Sequence, residues 1–515
     1  VTRWRQHGAT GLCLAAVALL SLYYFMSAPT DGNFWWFDAS RHAMNGVFLS
    51  DMLSQGGWLH PVEFAKAYYE KYPAINIGFY PPFFYISSVP MLLLFGVSHA
   101  VSQSVVALYT LASGILVFFI CRGVMDRISA LATALCILTF APIALWARQV
   151  QLDVPAVAMY LLTAWTLIRY LDTGRQNWMF AAGILLGLSM LTRVQGVFLV
   201  PVFLFVVFLQ RPPGRPALAK RIAATAIAGV VALPAVLMVQ YFSSVNQALA
   251  TRMPGMPGLW TLDNWTWYAQ QLPEQVSWPV TCLMAAGLLA ALVVAVQGRA
   301  TTGLTVIGAA WACAWIFFSV VSNKEPRFNL PGIVFLFLLA AYGLYLLSAV
   351  TARVVLPVLA AWLLFQVGMA PAVPVVNGFT EAVTAVQAIA PVNSNVMISA
   401  HRDGSFIFDL RTQGSRRDIG VRRADKLIVE IRIMRNLGVR DNGLDQEAIL
   451  AMMDKQNIAL VVVQPGYLAD LPSMKNFQAL LDDGVHYEKI QTMALTGATA
   501  PTEQALVIYR RKPAA

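Results

Sequence analysis

The stretch WWFDASRH places a carboxylate, Asp38, three residues ahead of Arg41 and four ahead of His42, shortly after a strongly apolar run. If FDASRHAMNGVFLSDML is helical, Asp38 and His42 share a face and Arg41 lies on the adjoining turn. Among aromatic rings, a partly dehydrated Asp38 carboxylate is a usable proton acceptor or a tight oxygen ligand. Capping the helix is the plain alternative and weighs the same. Asp31 and Asp51 flank this group and read as structural.

Further charged groups stand in short turns between apolar segments. Asp153, in RQVQLDVPAVAMY, opens one such segment beside Pro155, where complementing the helix dipole accounts for an acid and an orienting role stays open. Arg193 occupies the turn LTRVQG, and SNKEPRFNLPG packs Lys324, Glu325 and Arg327 together. Cations so placed either extend their heads to water or meet an anion, for which a lipid phosphate is the chemical match. Tyr80, followed by Pro81, Pro82, Phe83, Phe84 and Tyr85, suits the depth of a membrane–water boundary. The loop holding Trp260, Trp265, Trp267 and Trp278 either stacks on sugar rings or anchors at the headgroups, with anchoring slightly favoured.

The elements that must position these groups follow from composition. Of 515 residues, 58% are hydrophobic and 12% charged, with long apolar runs that no water-soluble core needs in such number. Candidate spans fall at 9–29, 81–97, 101–120, 129–147, 153–169, 178–192, 195–210, 219–241, 278–297, 302–322, 330–349 and 353–373. Pro81, Pro82 and Pro90 break the second of these, which is expected to lie along the interface. With that segment not crossing, Arg122 and Arg127, Arg169 and Arg175, RPPGRPALAKR, Arg299 and Arg353 share the side of Arg3 and Arg5. The positive-inside rule then predicts about eleven spans, an inside N-terminus and an outside C-terminus. Residues 30–100, the turns at Asp153, Arg193 and Lys324, and the loop 242–277 all fall on the outer side. The first residue, Val1, reads as either a trimmed fragment or an alternative bacterial start, with the start favoured, and residues 9–27 as an uncleaved first helix.

From residue 375 the pattern changes. NVMIS, ALVVVQP, YEKIQTMAL and QALVIYRR read as strands, and LDQEAILAMMDKQ and MKNFQALLDDG as helices. The expectation is a transmembrane domain over 1–374 and a small extracytoplasmic α/β domain over 375–515, of ordinary domain size. Its basic stretch RTQGSRRDIGVRRADK is either a solvated surface, the favoured reading, or a contact for an anionic partner. Cys13, Cys121, Cys136, Cys282 and Cys313 all lie in or beside apolar segments, with no disulfide or metal spacing. The net charge of +10 resides mostly in short loops, which excludes nucleic acid as the partner. Ionisable side chains are nearly missing from the spans, which argues against the competing class, a transporter or lipid flippase.

An Asp in the first outer loop, the YPPFFY segment, LDVPA at the head of a later span, LTRVQG and a late KEPRFNLP together resemble the family 39 glycosyltransferases, which include protein O-mannosyltransferases and bacterial aminoarabinose transferases. The resemblance covers roughly residues 10–350. It implies a GT-C-like polytopic fold and transfer of a sugar, with inversion, from a polyprenyl-phosphate donor to a lipid, glycan or protein acceptor at a bacterial inner membrane. Asp38 and Asp153 are then the expected catalytic pair, with Arg41, His42, Tyr80, Arg193, Lys324, Glu325 and Arg327 binding substrate. Many relatives carry an Asp-Glu pair where this chain has Asp38-Ala39, so either Asp51, Glu63 or Glu70 substitutes for the second carboxylate or the pair is unnecessary. No cofactor is certain; a divalent cation between Asp38 and Asp153 stays open, although no spacing compels one.

Overall fold

The computed structural model describes residues 2–245, 247, 255–431, 435 and 438–513. Two compact units divide the chain. One comprises Val1–Ala28, Gly78–Phe84 and Ser104–Ala372; the other comprises Pro29–Ile77, Tyr85–Gln103 and Val373–Ala515.

The first unit is helical. Among the described residues, eight helices are long and apolar enough to cross a membrane: Gly8–Met26, His99–Arg122, Asp153–Thr173, Leu218–Tyr241, Trp278–Val296, Thr302–Val320, Pro326–Leu347 and Ala349–Met369. The protein is thus multi-pass, but long helices alone fall short of the expected eleven, for local reasons. Pro142 divides 129–147 into Arg127–Leu138 and Ala141–Trp146. Residues 194–209 run through 3-10, α and π geometry in succession, with Pro201 in the middle. The third, 178–192, is the helix Gln176–Thr192, whose 17 residues span about 25 Å, short of the ~30 Å of a hydrocarbon core. The proline-interrupted segment, outside the eleven, is the 13-residue helix Phe83–Phe95, which from Tyr85 onward belongs to the second unit.

Small residues let the long helices approach. A side chain at Gly287 would meet Ala340, and one at Gly343 would run into the backbone of Ala291, so Trp278–Val296 and Leu330–Leu347 cross backbone against backbone. At one end of this unit the loops are tied to each other. Arg353 Nε donates to Asp126 Oδ2 at 3.1 Å, Arg299 Nη2 to the Leu346 carbonyl at 2.8 Å, Thr302 to Asp172, and Lys220 Nζ to Gln176 Oε1 at 2.7 Å. The basic turns singled out by charge therefore do meet at one end of the helical unit.

The second unit is built on a five-stranded sheet in which Gly420–Arg423, Asn395–Ser399 and Ile458–Val463 run parallel, Ala505–Arg511 runs antiparallel to them, and Tyr487–Ala494 at the edge is antiparallel to Ala505–Arg511. The four predicted strands and both predicted helices, Gln446–Lys455 and Pro472–Asp482, are present. The helices bury Ile449, Met453, Phe477, Leu480 and Leu481 against Met397, Val461, Val463 and Val507 of the sheet. Fully burying a side chain of this size contributes roughly 1.5–3 kcal/mol. Two segments from the first loop join this unit, the helices Phe37–Ser54 and Pro61–Lys71.

Candidate active site

In the first unit, Asp153 is the opening residue of its helix, with Leu152 as the cap residue before it, and is buried. Its carboxylate receives Arg193 Nη1 at 2.5 Å and lies 4.0 Å from Arg327 Nη1. Arg193 reaches it from the extended residue that ends the helix Gln176–Thr192. Arg327 also pairs with Glu325 through Nε at 2.7 Å, and its guanidinium lies 4.9 Å from the Trp146 ring centre. Burial works against the Arg193 charge, yet Asp153 outweighs it and holds the guanidinium more firmly protonated than usual. Burial pushes the Glu325 carboxyl up, with Arg327 opposing.

Lys324 differs from both arginines. It is 4% exposed, and its ammonium donates to the carbonyls of Phe318 at 3.2 Å and Ser319 at 3.0 Å, in the last turn of the Thr302–Val320 helix. The Tyr268 ring centre lies 5.3 Å away. Among the described residues no carboxylate forms an ion pair with it, and burial lowers its pKa to about 8. Nearby chemistry is incomplete as well. The Tyr268 hydroxyl and both amide atoms of Gln275 and of Asn329 are buried without a hydrogen-bond partner among the described residues. Such atoms cost free energy unless something meets them. Tyr80 belongs to this unit and is half-buried, with its phenol felt electrostatically by Arg193.

Asp38 lies in the second unit, in the first turn of the helix Phe37–Ser54, which matches the helix read from the sequence. The cap position belongs to Trp36, so Asp38 is not the N-cap. Arg41 and His42 have internal partners: Arg41 Nη2 reaches Asp403 Oδ1 at 2.8 Å, and His42 Nδ1 is 2.8 Å from the Tyr85 hydroxyl. Both were read as binding substrate, and their polar atoms are at least partly spent on the scaffold. Asp51, on the same helix and about 20 Å further along, is gripped by Arg411 Nε at 2.8 Å and receives the Tyr68 hydroxyl at 2.8 Å. That engagement spends the Asp51 carboxylate on the scaffold, as its structural reading expects.

The basic stretch 411–426 is solvated only in part: Arg417 is exposed, while three other arginines are held by acids. Arg411 holds Asp51, Arg416 holds Asp418, and Arg423 holds both Asp403 and Asp425 at 2.6 Å. Burial pushes the Asp403 carboxyl up, but Arg41 and Arg423 outweigh it and keep it below the usual carboxylate range. Asp403 and Arg423 were missed in the sequence, since nothing local joins them to residue 41. Tyr268 and Trp146 were missed too, although WTWYAQ and ALWARQ each set an aromatic ring beside a singled-out motif.

Among the described residues no three of His, Cys, Asp and Glu gather as a metal site. Asp153 already carries two arginines, a setting that disfavours a divalent cation beside it.

Residues 80–242 match the family model of dolichyl-phosphate-mannose-protein mannosyltransferase. No curated protein matches the chain. The ArnT of Cupriavidus metallidurans, solved bound to undecaprenyl phosphate, shares 15% identity with a TM-score of 0.61, covering 97% of each chain. The archaeal oligosaccharyltransferase AglB of Archaeoglobus fulgidus, in complex with an inhibitory peptide and a dolichol-phosphate, shares 11% with a TM-score of 0.51, covering 97% of this chain and 75% of that one. At such identities the likeness is one of fold, and with the family match it bears out the resemblance read from the motifs. The chain is a multi-pass membrane protein with the GT-C fold, similar over residues 80–242 to the protein mannosyltransferases.

Proposed function

We propose that the protein is a membrane glycosyltransferase that moves a sugar from a polyprenyl-phosphate donor to a lipid, glycan or protein acceptor, with inversion, on the outer face of a bacterial inner membrane. The observation that carries this reading is the mannosyltransferase-family match over residues 80–242, which contains Asp153 and Arg193, within a chain of ArnT-like fold. Asp38 accepts the proton of the acceptor hydroxyl as it attacks the sugar C1. The C1–O bond to phosphate breaks, and the polyprenyl phosphate leaves toward Lys324, Arg193 and Arg327.

The buried geometry supports these roles. Lys324 brings a positive charge that no described carboxylate neutralises, so an arriving phosphate gains its full attraction in a water-poor setting. Asp153 keeps Arg193 and Arg327 oriented, and Tyr268, Gln275 and Asn329 offer polar atoms that sugar hydroxyls or phosphate oxygens can satisfy. Arg41 and His42 act beside Asp38, and Tyr80 meets the lipid at the interface. Orientation follows from the loops tied together around Arg299 and Arg353, which the positive-inside rule assigns to the cytoplasm together with the N-terminus. The opposite end and residues 375–515 then face outward.

Purified protein supplied with labelled polyprenyl-phosphate sugars tests the reading. Transfer or slow donor hydrolysis is expected with at least one donor; neither with any donor, alongside tight binding of an unrelated solute, would favour a transporter. Asp38→Asn is expected to abolish turnover while leaving expression intact, and full activity in that variant removes Asp38 from the base role.

A further inference from the structure

The turn that carries Asp38 is held on both sides by one short loop of the α/β region. Before Asp38, the ring of Phe37 is stacked by the Arg402 guanidinium at 4.5 Å and met edge-on by His401 at 4.3 Å. Arg402 is itself fixed, with Nε 2.8 Å from the buried carboxylate of Glu503. After Asp38, Ser40 lies against Gly404, where a Cβ would land on the Ser40 Oγ and stand 3.2 Å from its Cβ. Arg41 is joined to Asp403, which is joined to Arg423, which is joined to Asp425. Residues 401–404 therefore touch the positions immediately before and just after Asp38, through stacking, close packing and an ion-pair relay.

We infer that the loop His401–Gly404 is a positioning element for Asp38: the α/β region sets where the carboxylate stands and contributes no group of its own to the reaction. The inference rests on Asp38 being the base. The chemistry of the contacts favours it over plain adhesion. Stacking at Phe37 fixes the entry of the helix, and the Arg41–Asp403 pair fixes rotation about its axis. Gly404 admits Ser40 more closely than any other residue would. A helix braced at entry, in rotation and in depth has little freedom left at Asp38, and displacement of a reacting group by about 1 Å costs on the order of a hundredfold in rate.

Gly404 provides the test, because it lies within the helix Asp403–Thr412 at a conformation where alanine is the better helix former. Gly404→Ala should keep the melting temperature and the donor KM while lowering kcat by about a hundredfold, and Gly404→Ala/Ser40→Ala should regain most of that loss because the second change removes the clashing oxygen. A loss that reflects general damage would instead lower the melting temperature and would not be recovered at Ser40. Should Gly404→Ala fail to accumulate, Arg402→Lys reads the same grip, since it keeps the charge beside Glu503 and loses the planar stack on Phe37. Wild-type kcat in Gly404→Ala or in Arg402→Lys, or no recovery in the double variant, overturns the inference. Asp38→Asn run in parallel separates the two claims: activity there sinks the base assignment, whereas an inactive Asp38→Asn beside a fully active Gly404→Ala sinks only the positioning.

Discussion

The two ends of the helical unit use the same residue types and differ in how far water reaches them. At one end Arg353 pairs with Asp126, their side chains 56% and 30% exposed. At the other Arg193 pairs with Asp153, at 18% and 2%, with Arg327 at 12% close by. An exposed pair of the first kind contributes about 0–1 kcal/mol. A buried one is little better as net stabilisation, because desolvation offsets the attraction, but stranding one partner costs about 3–5 kcal/mol. Charge at the Asp126 end is a topological label that tolerates loss. Charge at the Asp153 end is fixed in place, as the proposed role of orienting a phosphate requires.

The largest effect that bears on this contrast is expected from Arg193→Ala. It removes the 2.5 Å partner of a buried carboxylate, so stability should fall by about 3–5 kcal/mol in thermal melting. Sugar transfer should fall by about a hundredfold or more. Arg193→Lys should recover part of the stability and less of the rate, since an ammonium lacks the guanidinium's fork.

A subtler outcome concerns Lys324. Its pKa of about 8 means that the ammonium dominates below that pH and is lost above it, so donor binding should weaken as pH rises through about 8. One pH unit higher, only about a tenth of the protein keeps the charge. Lys324→Arg, charged throughout, should flatten that limb of the profile, and an unchanged limb would detach Lys324 from the phosphate. The smallest effect belongs to Arg353→Ala, with stability changed by less than about 1 kcal/mol and kcat left within about twofold. A loss at Arg353 matching that at Arg193 would erase the distinction between the ends.

Much of this was legible in the sequence where one period or one turn decided it. FDASRHAMNGVFLSDML announced a helix and is one, buried nearly all round from His42 to Phe48, which its small residues Ala43 and Gly46 permit. Asp153, Arg193 and the KEPRF turn were picked out separately, and the fold brings them onto one network. Elsewhere local signals misled. Hydropathy over 129–147 and 195–210 looked continuous, while Pro142 and a π-type turn at Phe205–Leu209 interrupt the helix without altering apolar content. The basic stretch 411–426 looked like surface because the acids that absorb it, Asp51 and Asp403 among them, are either hundreds of residues away or look unremarkable on their own. Charge counted along a chain does not reveal its partner across the fold.

The Asp51–Arg411 pair joins residues 360 apart in sequence. At bacterial-type synthesis speeds of roughly 5–20 residues per second, Asp51 emerges roughly 20–70 s before its partner exists. During that interval the first loop has neither Arg411 nor Asp403, nor the strand residue Val376 that bridges to Asn33. The helix bearing Asp38 is thus braced only after the apolar helices up to Met369 have been made. A ribosome that stalls before residue 400 would leave the apolar helices made but the Asp38 helix unbraced, so the bracing of Asp38 waits on residues 401–411.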